Sequence, residues 1–186
     1  MNYEESYKYP LKIICLTEES VETLFLLGKG DLVAGVSSYV KRPHEATKLP
    51  KISLFTSSKI EKICEMKPDL ILGFSDIQKD IASSLIGRGL DVWIANHRSV
   101  SGILKYIETL SSIVDARSKG EVLIQKLLDK INQAQSFSKT LTQRPKVYFE
   151  EWDDPMITAI EWVNEIIELC GGISITSSVA QQKMAM

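Results

Sequence analysis

The chain has 186 residues, 44% of them apolar and 25% charged, with a formal net charge of −2. That length holds one large domain or two small ones, and the composition is that of a globular chain without a global basic field to attract nucleic acid. No apolar run approaches the roughly 20 residues of a membrane-spanning helix, so no membrane span is expected.

Residues 1–10 are polar and acidic, with neither the basic nor the apolar region of a secretory signal. The chain as written therefore reads as cytoplasmic, or as periplasmic or cell-surface if a leader has been removed. The first apolar run, 12–16, predicts a strand and is followed by a helical pattern over 19–28. Gly28 and Gly30 fit its C-terminal stop. A second strand is expected at 32–36. The stretch 38–58 is less regular, with Pro43, Pro50 and a short strand near 51–53. Ser58 and Glu61 have the spacing of a capping box opening a helix over 59–66. Strands at 70–74 and 92–95 alternate with helices over 76–87 and 100–113, and Ser75 and Ser99 stand where helix caps are needed.

Regular alternation of near-continuous apolar strands with helices predicts an α/β fold with a mostly parallel sheet covered on both faces. A longer helical pattern over 115–139 follows, with Ile124, Leu127, Leu128, Ile131 and Ala134 on one stripe. The organisation then restarts with a strand at 146–152. Thr158 and Glu161 suggest a second capping box, and a helical face formed by Ile160, Val163, Ile166, Ile167 and Cys170 is closed by Gly171 and Gly172. The expected domains are an α/β lobe at 11–114, a connecting helix at 115–140, and part of a second α/β lobe at 145–186. One strand and one helix bury too little surface for an independent core. Strand 146–151 should therefore leave an open edge or apolar face, completed by a dimer or by further chain.

Cys15, Cys64 and Cys170 lie far apart and read as three buried thiols, not as a disulfide framework. Cys15 has no histidine near it in sequence and is a poor nucleophile candidate. No G-x-S-x-G, P-loop or H-E-x-x-H motif occurs, so no enzyme is expected.

This organisation resembles the substrate-binding proteins of ABC importers in the long-helix-linked class. That group handles cobalamin, haem and siderophores, and the likeness is strongest to cobalamin-binding members. It rests on residues 14–24 (ICLTEESVETL), 33–39 (VAGVSSY), 49–51 (LPK), 59–72 (KIEKICEMKPDLIL) and 147–155 (VYFEEWDDP), in that order, and it covers about residues 11 to 175. The resemblance implies two lobes with a small-molecule ligand held in the cleft between them, an ABC permease as partner, and binding without catalysis or a resident cofactor. The ligand class it implies is a corrinoid, with a siderophore, haem or metal chelate as the alternative. A further alternative is a cytoplasmic interaction module that kept the fold without transport. The second lobe is shorter than the family pattern.

On this resemblance the ligand faces the carboxyl ends of the first-lobe strands, at Thr17, Glu18, Ser38, Tyr39, Phe55, Ser75, Asn96 and His97. Tyr39 and Phe55 offer rigid aromatic area to a flat ring. Phe55 lies where the cobalamin binder places a stacking aromatic; the other reading is a core residue that anchors its loop. Thr17, Ser75 and Asn96 also read as helix caps alone. Glu61 matches a glutamate that docks on a permease arginine, or serves only the capping box. His97 reads either as an axial or metal ligand or as a loop residue bonded to backbone. Glu150, Glu151, Trp152, Asp153 and the adjoining Asp154 read as ligand contacts, as a hard-metal clamp, or as a solvated acidic loop.

Overall fold

The computed structural model describes residues 9–177. Most of the N-terminal polar segment and the last residues of the 173–186 tail lie outside that range. The chain divides into two compact units. One comprises the residues up to Asn96 together with Tyr106–Leu123, the other His97–Lys105 together with the residues from Ile124 on.

The first unit is built on a six-stranded sheet. Its strands are β1 (Ile13–Cys15), β2 (Val33–Ser37), β3 (Lys51–Leu54), β4 (Ser57–Ser58), β5 (Leu70–Phe74) and β6 (Val92–Ala95), in the order β4-β3-β2-β1-β5-β6. Every pairing is parallel except the β3–β4 hairpin. β1 sits at the centre, and Ile13, Ile14, Cys15 and Leu16 are completely buried, which is why this run carries no polar residue.

Side-chain alternation sorts the core into two layers. Ile14 and Leu16 pack with Ile52 of β3, Ile71 of β5, Ile63 of α2 (Ile60–Met66), and Ile81 and Leu85 of α3 (Lys79–Ile86). Cys15 points to the opposite face, toward Ser20 of α1 (Glu18–Leu26) and Tyr106 of α4 (Val100–Ile113). Trp93 of β6 stacks on Tyr106 with ring centroids 5.3 Å apart. Helices therefore cover both faces, and the strand order reverses between β1 and β5. In such a sheet the crossovers diverge at that point and open a crevice at the carboxyl ends of the strands.

α5 (Arg117–Ser138) has 22 residues and belongs to the first unit through Leu123 and to the second from Ile124. Asp115, at φ 51°, turns the chain between α4 and α5. In the second unit, α6 (Glu161–Leu169) lies with a two-stranded parallel pair, β7 (Lys146–Val147) with β10 (Ile173–Ser174), and a hairpin of β8 (Glu150–Trp152) with β9 (Ile157–Thr158). Glu165 accepts a hydrogen bond from the Val100 N–H at 2.5 Å and so caps the first turn of α4. Arg144 donates to the Gly171 and Gly172 carbonyls at 3.2 and 2.8 Å and secures the end of α6.

Several local expectations are corrected. Neither capping box forms: Lys59 and Ile160 occupy the N-cap positions and no side chain caps either helix. Ser58 instead donates to the Ser53 hydroxyl at 3.0 Å, and Thr158 lies in β9. The run 146–152 is two strands in different sheets, with Tyr148 and Phe149 exposed between them. The buried side of α6 centres on Val163 and Asn164, and Ile166 and Cys170 are exposed. Of the three thiols only Cys15 is buried; Cys64 is half-buried. The Asn164 amide replaces the expected apolar face because it is bonded to the Ser174 and Thr176 hydroxyls, a buried polar group satisfied by its partners. Among the described residues, no helix is long and apolar enough to cross a membrane.

Candidate functional site

The carboxyl ends of β1, β2, β3 and β5 bring four kinds of side chain to one edge of the first unit. At the end of β1, Thr17 has extended backbone at the N-cap of α1, yet its hydroxyl donates to the Glu19 carboxylate at 2.5 Å and caps no backbone N–H. Glu18 accepts from the buried Ser37 hydroxyl at 3.0 Å, and Ser37 in turn accepts from the Tyr39 N–H at 3.2 Å. This relay ties the end of β1 to the turn after β2 and fixes the backbone that presents Tyr39, whose side chain is 55% exposed. Ser38 is exposed beside it and donates its N–H to the Ser53 carbonyl at 2.7 Å.

At the end of β3, Leu54 is 47% exposed and Phe55 is half-buried in the β3–β4 turn. At the end of β5, Ser75 is buried at φ 62°, ψ 170°, a region that side chains rarely occupy. Its hydroxyl accepts from the Ile77 N–H at 3.3 Å, so its expected capping role is present in a short 3₁₀ turn, Asp76–Gln78. Ile77 is 53% exposed on that turn. The edge thus presents Tyr39, Leu54, Phe55 and Ile77 to solvent, above a rim of hydroxyls and carboxylates. Leu54 and Ile77 were not selected from sequence. An apolar residue at a strand end reads as core, and only the turn geometry shows it facing outward.

Asn96 is exposed after β6, and the Ser99 hydroxyl caps α4, accepting from the Gly102 N–H at 3.0 Å. His97 is half-buried in the second unit, and burial pushes its pKa below the ordinary histidine value, which favours the neutral imidazole. The acidic segment belongs to the second unit. Glu150, Glu151, Trp152 and Asp153 all lie exposed in the β8–β9 hairpin, where Tyr148 donates its hydroxyl to Glu150 at 3.0 Å and Trp152 donates to the Asp154 carbonyl at 3.0 Å. Among the described residues, no three His, Cys, Asp or Glu side chains converge on a cation position.

Beneath the edge lies a buried polar cluster. Burial pushes the Cys15 thiol up to about 12, partly offset by the Ser20 hydroxyl, so it stays a thiol. Burial also raises Tyr106, with Glu19 and Cys15 adding to the effect. Glu19 is raised by burial first, opposed by the Thr17 hydrogen bond and reinforced by Glu18. A carboxyl whose pKa is higher folded than unfolded favours the fold while protonated and loses that contribution as pH rises through the folded value. Glu19→Gln stays neutral and still accepts from Thr17. It should therefore melt higher than the parent near neutral pH, and the gap should close well below the ordinary value of 4.5. Thermal melts across that range check the sign.

Glu61, in the first turn of α2, is exposed and paired with Arg88 through contacts of 2.9 and 2.5 Å, which lower its carboxyl pKa. Surface pairs of this kind stabilise little and are screened by salt. Arg88→Ala should leave the melting temperature nearly unchanged, with any loss vanishing at high ionic strength.

A family model described as periplasmic binding protein matches residues 13–185. The chain belongs to the periplasmic binding protein family. The family consists of solute-binding proteins, not enzymes. A vitamin B12-binding protein of Vibrio parahaemolyticus is 25% identical over 173 residues, covering 91% of this chain and 62% of its own length. An uncharacterized ABC transporter substrate-binding lipoprotein of Bacillus subtilis, YvrC, is 29% identical over 156 residues, covering 81% and 49%. The solved structure of the periplasmic haem-binding protein RhuT from Roseiflexus sp. RS-1 superposes with a TM-score of 0.79 at 24% identity, covering 90% of this chain and 66% of that one, and so shares the α/β fold. The chain spans about half to three-fifths of the length of these curated relatives.

Proposed function

We propose that this member of the periplasmic binding protein family supplies the ligand-holding edge of an ABC-importer substrate-binding protein, and that its ligand is a flat tetrapyrrole of the corrinoid class. The lobe at 11–114 carries that edge, and residues 145–186 form part of the second lobe. The observation that carries the reading is the outward-facing group Tyr39, Leu54, Phe55 and Ile77 at the carboxyl edge of the sheet. Exposed apolar side chains along the carboxyl edge of a parallel sheet, on both sides of its reversal point, suit a ligand with a broad apolar face. The hydroxyls of Ser38 and Tyr39 and the carboxylate of Glu18 suit hydrogen-bonding arms around such a ring. Similarity to a vitamin B12-binding protein supports the corrinoid class.

Haem is the second reading, favoured by the likeness to a haem-binding fold and by a His97 held toward the neutral form that ligates iron. Similarity to an ABC substrate-binding lipoprotein supports a permease partner, with Glu61 as the docking carboxylate, and a periplasmic or cell-surface location. Docking there would exchange the Arg88 partner for one on the permease.

Equilibrium dialysis against cyanocobalamin, haemin and a ferric hydroxamate siderophore in parallel separates the classes. We expect retained corrinoid at one per chain. Retention of haemin alone, lost in His97→Ala, would transfer the assignment to haem. Retention of none would return the chain to an interaction role.

A further inference from the structure

We infer that Gln78 is a positioning residue for the ligand edge, a buried amide staple that holds the Phe55 turn against the end of β5. The inference rests on the proposed role of Phe55 in ligand contact and names the residue that sets its place.

Gln78 is 0% exposed, unusual for an uncharged amide at the start of a surface helix. Its Oε1 accepts from the Phe74 N–H at 3.0 Å, at the last residue of β5, and its Nε2 donates to the Phe55 carbonyl at 2.9 Å, 23 residues away in sequence. The two contacts fix the amide orientation, since the reverse would set donor against donor and acceptor against acceptor.

The surroundings are shaped for this one side chain. The left-handed backbone of Ser75 turns the chain back, and the Gln78 N–H reaches the Ser75 carbonyl at 3.2 Å. Gly73 leaves the space that the amide fills: a Cβ there would stand 2.6 Å from Gln78 Oε1 and 2.6 Å from the Ile94 side chain. On the far side, the Ser53 hydroxyl donates to the Leu54 carbonyl at 2.8 Å and Ser58 donates to Ser53 at 3.0 Å, which stiffens the hairpin carrying Phe55. The turn joining β3 to β4 is thus tied through one amide to the end of β5, a strand separated from β3 in the sheet by β2 and β1. A turn held in its bound form loses less freedom when a ligand arrives, which is how preorganisation raises affinity.

The test is a double-substitution cycle on cyanocobalamin retention, with haemin as second probe, using Gln78→Leu, Phe55→Ala and the pair. Gln78→Leu should weaken binding on the order of tenfold, and it should cost little further once Phe55 is alanine. Leu85→Ala, which opens a cavity in the core of the same unit away from the edge, serves as control: it should lower the melting temperature without coupling to Phe55. Hydrogen exchange without ligand should be faster at the Phe74 amide and across residues 54–57 in Gln78→Leu. Additive effects of Gln78 and Phe55, or unchanged affinity in Gln78→Leu, overturn the inference. If the parent chain retains neither probe, the functional reading falls and with it the part Gln78 plays in binding. Its hold on the turn is then decided by exchange alone, and unchanged exchange at Phe74 and 54–57 overturns that too.

Discussion

Replacing Tyr39 and Phe55 together by alanine should abolish measurable corrinoid retention while leaving the fold intact. Tyr39 is more than half exposed and Phe55 sits in a turn, and neither belongs to the packed cluster around Ile14, Leu16 and Ile71. Their removal opens no cavity in that cluster, so the melting temperature should move little. The loss in binding should be large because rigid aromatic side chains give much contact area at small entropic cost. Central aromatic anchors typically contribute about 2 kcal/mol or more each to an interface. Each single substitution should therefore weaken retention by at least roughly tenfold. Isothermal titration of the singles and the pair, beside thermal melts, separates the two effects. Undiminished affinity in the pair would remove the edge as the binding surface.

The second large effect is expected at Gly73, where stability and binding should fall together. Its missing side chain faces Gln78 Oε1 and the Ile94 methyl at 2.6 Å, with Leu16 at 3.3 Å. Gln78 cannot simply swing away without breaking both of its hydrogen bonds, and leaving a buried partner unsatisfied costs about 1–3 kcal/mol. Overpacking of this kind destabilises by roughly 1–3 kcal/mol on its own. Gly73→Ala should thus lower the melting temperature by several degrees, at about 2–4 °C per kcal/mol for a domain of this size, and should also weaken ligand retention. A stable Gly73→Ala protein with full retention would show that the β5 end tolerates a side chain and that Gln78 is not held there.

The central strands were legible because burial leaves a near-continuous apolar run: β1, β5 and β6 lie within the stretches their composition marks, and β2 extends one residue past its stretch, to Ser37. α5 was legible from its stripe, in which Ile124, Leu127, Ile131 and Ala134 are half-buried, whereas Leu128, expected on the same stripe, is exposed. The errors share one cause. Ser58 has the spacing of a cap, but its hydroxyl is taken by Ser53 across the β3–β4 hairpin, a partner supplied by tertiary structure. Residues 146–152 have strand composition throughout, and only pairing with β10 on one side and β9 on the other divides them. The site followed the same rule. Strand ends marked Thr17, Glu18, Ser38, Tyr39, Phe55 and Ser75 as candidates. Ser37, Ile77 and Gln78 carry no local signal, since their significance comes from bonds or exposure that exist only once the ends of β1, β2, β3 and β5 share one edge of the sheet.

The most direct measurement is the hydrogen-exchange footprint of saturating cyanocobalamin on the whole chain. Slowed exchange confined to residues 37–39, 54–56 and 75–78 is the expected result, because these are the turns at the carboxyl edge of the first-unit sheet. Bound corrinoid that leaves all three turns unprotected, or that protects only the acidic hairpin at 150–153, would contradict the account.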